Sequence, residues 1–94
     1  MNLSEKQIEI IKKLAYRLMA PVEIALILEV DKDSFLDELR SETGEVYKAF
    51  YTGLLKQENQ IKKSSIKPVD VDIQQFRERQ LKELKSKLII QLDA

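Results

Sequence analysis

An all-α fold is predicted, on three observations. Gly and Pro occur only twice each in 94 residues, so few positions break a helix. Leu, Ile, Lys, Glu and Gln dominate the chain, and most of these are good helix formers. Apolar residues recur at steps of three and four, with little of the alternation that a sheet needs.

Five helices are expected in order. Ser4 is a good N-cap for the first, and Gln7 completes a capping box. Ile8, Ile11, Leu14, Ala15 and Leu18 then form one stripe, and Ala20-Pro21 ends the helix, because the residue before proline is pushed out of the α region. Pro21 suits the first turn of a second helix running to about Glu29, short and largely buried through Val22, Ala25, Leu26 and Ile27 or Leu28. Asp31 or Asp33 caps a third helix reaching about Ser41, with Phe35, Leu36 and Leu39 inward. Thr43 or Gly44 opens a fourth, striped by Val46, Tyr47, Phe50, Tyr51, Leu54 and Leu55. The polar run from Lys62 to Pro68 reads as a linker. A last helix from Asp70 or Asp72 to about Leu92 carries Ile73, Phe76, Leu81, Leu84, Leu88 and Leu92. Residues 1–61 are thus expected as one domain, 62–69 as a linker and 70–94 as a C-terminal amphipathic helix. That helix either folds back or pairs with its copy in another subunit.

Composition narrows the function. Without Cys or His, the chain has no thiolate or imidazole nucleophile, and no zinc site of the usual kind. Carboxylates at Asp31 and Asp33, or Asp70 and Asp72, sit at turns where capping accounts for them. No enzyme activity, cofactor or metal is expected. The polar N-terminus predicts no signal peptide, and the longest apolar run, Ile24 to Leu28, is too short to span a bilayer, so a cytoplasmic protein with no membrane partner is expected. The net charge is zero, but it is unevenly distributed. Residues 29–45 hold two bases against seven acids, a net of −5, whereas residues 46–67 hold five lysines against one acid, a net of +4.

The informative stretch runs from Pro21 to Leu39. A helix-turn-helix needs a small residue where its helices touch, an apolar residue closing the turn, and apolar anchors seating the second helix. Ala25, Val30, Phe35 and Leu39 stand at those offsets. With the Pro21-Val22-Glu23-Ile24-Ala25 opening, the Val30-Asp31-Lys32-Asp33 turn, Phe35, and the aromatic helix Val46 to Gly53, the segment from Pro21 to Leu55 resembles homeodomain-like helix-turn-helix proteins of phages and prophages, similar to terminase small subunits. The resemblance implies a three-helix homeodomain-like core extended by a long fourth helix and the C-terminal one. It further implies N-terminal helices that bind packaging-site DNA, and later helices that assemble an oligomer presenting the DNA to a packaging ATPase.

Two features depart from that pattern. Glu29 holds a turn position usually given to glycine, so the backbone there is expected to do without φ > 0 freedom. The third helix carries Asp33, Asp37, Glu38 and Glu42, which repel phosphates. Bases available for phosphate contact are Lys12, Lys13 and Arg17, then Lys32 and Arg40 flanking the third helix, then Lys48, Lys56, Lys62, Lys63 and Lys67. The expected DNA-contacting set is Lys32, Ser34, Arg40, Lys48, Lys62, Lys63 and Lys67. An alternative stands beside it: a protein-interaction and oligomerisation module whose acidic third helix binds a basic partner, without DNA.

Overall fold

A computed structural model describes residues 2–64 and 71–93, with side chains placed for 2–62 and 75–92. The described residues form helices only: α1 (Glu5–Tyr16), α2 (Pro21–Ile27), α3 (Lys32–Arg40), α4 (Gly44–Ser64) and α5 (Val71–Asp93). None of them is long and apolar enough to cross a membrane.

Local chemistry sets the starts. The Gln7 N–H donates to Ser4 Oγ at 3.2 Å and the Ser4 N–H to Gln7 Oε1 at 2.9 Å, a reciprocal capping box. Pro21 opens α2, where its missing N–H costs nothing. Asp31, not Asp33, caps α3: its Oδ2 accepts from both the Ser34 N–H and the Ser34 hydroxyl at 2.9 Å. Those two hydrogen bonds hold the Asp31 carboxyl below its ordinary value of 3.8.

The ends differ from expectation. α1 stops at Tyr16, well short of Ala20-Pro21. Leu18 turns to φ +65°, its N–H donating to Ala15 O at 2.9 Å while the Met19 N–H reaches Leu14 O at 3.1 Å. These bonds are the two closures of a Schellman motif. The same device ends α2 at Ile27: Glu29 takes φ +57°, Glu29 N–H donates to Leu26 O and Val30 N–H to Ala25 O at 3.0 Å. Glu29 thus adopts the left-handed backbone it was expected to avoid, and two closing hydrogen bonds offset a cost of roughly 1–2 kcal/mol. After α3, Glu42 also turns to φ +56° with its N–H on Leu39 O at 3.4 Å, but the Thr43 N–H donates to Ser41 Oγ in place of the second closure.

α1 and α4 form the main pair. Glu5 and Ile8 lie beside Glu45 and Lys48, and Tyr16 lies beside Gln57, so the two helices run in the same direction. Small residues bring them together: Ala15, Ala49 and Gly53 are buried in the seam. A Cβ on Gly53 would fall inside van der Waals contact of the Lys12 carbonyl oxygen and 3.0 Å from the Tyr16 nitrogen. α2 and α3 connect α1 to α4 as a hairpin, and α3 makes no close backbone approach to α1. α5 returns antiparallel to α4, with Lys85 Nζ 2.7 Å from Glu58 Oε1 and Leu92 beside Tyr47 and Tyr51. Leu84 is fully buried in the common core with Ile11, Ile24, Phe35, Leu39 and Phe50, and Leu81, Leu88 and Leu92 pack against it. α5 thus folds back on the core.

Several inward assignments change. Leu26 is 77% exposed while Ile24 is buried, and of Ile27 or Leu28 it is Leu28 that packs against the core, Ile27 being 53% exposed; a seven-residue helix offers one face to the core, and an unbroken apolar run does not reveal which. Leu55 and Phe76 are exposed too. At ~100° per residue Phe76 stands roughly 80° from Leu84 on the side away from Leu81, Leu88 and Leu92, off the buried face. The side chain of Ile73 lies outside the described residues. α4 continues through Ser64, so Lys62, Lys63 and Ser64 are helical where a linker was expected. Ile61, 5% exposed, extends the apolar face to that point. The rest of the expected linker, residues 65–70, lies outside the described residues.

Candidate functional site

The α2–α3 hairpin is built by the residues singled out for it. Ala25 and Phe35 are fully buried, Leu39 is 1% exposed, and Val30 is half-buried under the hydrogen bond that closes the turn. The outer surface of α3 carries exposed Lys32, Asp33, Ser34, Asp37 and Arg40.

The candidate contact residues are not brought together. Lys32 is exposed on the first turn of α3. The Ser34 hydroxyl donates to the Asp31 cap, which gives it a structural task. Arg40 faces α5: Nε donates to Leu92 O at 2.7 Å, Nη2 to Gln91 O at 2.9 Å, and Nη1 to Asp37 Oδ1 at 2.9 Å. Its fork caps the carbonyl end of α5, where a cation is favoured, and so ties α3 to α5. Lys48 lies apart, on the α1–α4 face with Glu5, Glu9 and Glu45. Lys62 is exposed on the last turn of α4. The side chain of Lys63, and the whole of Lys67, lie outside the described residues.

A different set does converge. Lys12, Lys13 and Arg17 of α1 and Lys56 of α4 surround Tyr16 and Gly53 in an open groove of about 450 Å³. Each was visible in the sequence as a single base; the missing signal was Gly53, which lets α1 and α4 meet where these side chains emerge. Lys13 and Arg17, four residues apart, share a face of α1, and Lys56 is one turn beyond Gly53. Lys12 pairs with Glu9 at 3.2 Å. Lys13, Arg17 and Lys56 make no ion pair among the described residues.

The carbonyl end of α1, whose dipole favours cations, lies beside these bases and is itself hydrogen-bonded. Lys13 O and Leu14 O accept from the Arg17 N–H, Ala15 O from Leu18, and Tyr16 O from Gln57 Nε2 at 2.9 Å. Gln57 is 8% exposed and its Oε1 has no hydrogen-bond partner. Against the wider set of known proteins, no family model, no curated protein and no solved structure matches the chain.

Proposed function

We propose that the chain is a DNA-binding helix-turn-helix module of the mobile-element type, working in the cytoplasm as an adaptor similar to a terminase small subunit. The observation that carries this reading is the α2–α3 hairpin, with its turn closed by the Val30 N–H on Ala25 O and its second helix seated by Phe35 and Leu39. A hairpin of that form presents the outer face of its second helix to a groove of the duplex. The acids of α3 reduce affinity for a polyanion, so binding is weak in sequence readout and relies on bases elsewhere for phosphate contact. Self-association and a packaging ATPase belong to the same proposal; exposed Ile89 and Ile90 on the outer side of α5 give a surface for the first.

A second reading, a protein-interaction module without DNA, is favoured by one feature. Exposed Leu26 and Ile27 belong to the same hairpin as the acidic surface of α3, and such a mixture suits a basic amphipathic partner. Fluorescence anisotropy on a random-sequence duplex pool at low salt separates the two. The DNA reading expects measurable affinity that tightens in Asp33→Asn/Asp37→Asn, because repulsion is removed. The protein reading expects no duplex affinity in either form.

A further inference from the structure

We infer that the groove between α1 and α4 is a phosphate-binding site, and that its ligand is the phosphodiester backbone of a nucleic acid. The ligand assignment rests on the DNA reading above, but the site stands on its own side chains and lies away from α3. Four bases and no carboxylate line the groove. Three of them carry no ion pair among the described residues, in a chain with as many acids as bases. Like charges gathered in one groove repel, and of the four only Lys12 has a carboxylate partner, Glu9. Gly53 forces the crowding, since α1 and α4 touch backbone to backbone at that point. The arrangement therefore lowers its energy by taking up an anion.

The groove is open between two parallel helices rather than a closed cup, which suits a phosphate carried on a strand better than one enclosed small ion. Tyr16, 38% exposed among the bases, adds a hydroxyl and a ring edge. Phosphate contacts here orient the molecule on a duplex and carry no sequence information.

The test uses the full chain and compares Lys13→Gln/Arg17→Gln/Lys56→Gln with a charge-matched control, Lys6→Gln/Arg79→Gln/Lys82→Gln, which spares every base placed against DNA. Both sets are exposed, so both variants are expected to melt as the parent does. Inorganic pyrophosphate should shift the amide resonances of Tyr16 and Gly53 in the parent and the control, but not in the groove variant. In a duplex titration the groove variant should lose about 0.9 in the slope of log K against log salt for each phosphate contact removed, whereas the control keeps the parent slope. Duplex binding with the same slope in all three proteins overturns the groove and leaves the DNA reading standing. Pyrophosphate shifts without any duplex binding overturn the nucleic-acid ligand, and the DNA reading with it. Preference for anionic phospholipid vesicles over duplex overturns it in favour of a headgroup site.

Discussion

Gly53 lies where α4 rests on the backbone of α1, and the contact leaves no room for a methyl group. Glycine in a helix interior costs about 1 kcal/mol relative to alanine, so by propensity alone Gly53→Ala would stabilise α4. The clash reverses that sign, because the atoms in the way, Lys12 O and Tyr16 N, belong to the backbone and do not rotate aside. Gly53→Ala should destabilise the domain by about 3 kcal/mol, read from a chemical or thermal melt; a variant that melts later than the parent would mean that the helices stand further apart. Asp31 carries a second consequence at this scale. Its folded pKa is below the ordinary value of 3.8 because Ser34 donates to the charged form, so its contribution is complete above that value and is lost as pH falls through the folded one. Asp31→Asn keeps a capping oxygen and removes the proton. Its stability should fall less steeply than the parent's below about pH 4 in pH-dependent denaturation; parallel curves would remove Asp31 from the acid response.

At the scale of elements, α5 is held by several ties, with Lys87 paired to Glu23 and the Val22 N–H donating to Gln91 Oε1 at 3.3 Å. Leu84 enters the core, Lys85 pairs with Glu58, and Arg40 spans the carbonyls of Gln91 and Leu92. The last depends on a planar fork, which a lysine ammonium does not reproduce. Arg40→Lys should speed amide exchange in the last turn of α5 and cost about 1 kcal/mol, a partly exposed charge-assisted bond being worth less than a buried one. Unchanged exchange there would show that the tie adds nothing. Helix starts were legible in the sequence because caps are local: Ser4 with Gln7, Pro21, and Asp31 with Ser34 each act within four residues. Helix ends were not, since Leu18, Glu29 and Glu42 take a backbone conformation that glycine normally advertises. The hairpin core at Ala25, Phe35 and Leu39 was legible from spacing. The exposure of Leu26, Ile27 and Phe76, and the diversion of Arg40 to carbonyls more than fifty residues away, depend on which helices meet, and no local pattern encodes that. The groove follows the same rule: its bases were visible singly, and only the α1–α4 contact assembles them.

At the scale of the whole molecule, a net charge of zero conceals two unlike surfaces. Residues 29–45, which include α3, carry a net charge of −5, the groove between α1 and α4 is basic, and α3 makes no close backbone approach to α1. Electrostatic steering depends on such local fields rather than on the total, so a neutral chain of this kind approaches a polyanion in a preferred orientation. The most direct measurement is the affinity of the unaltered chain for duplex DNA as a function of salt. With three or four phosphates neutralised, log K should fall linearly with log salt at a slope of about −3. The absence of binding at low salt, or binding whose strength does not change with salt, would contradict the account.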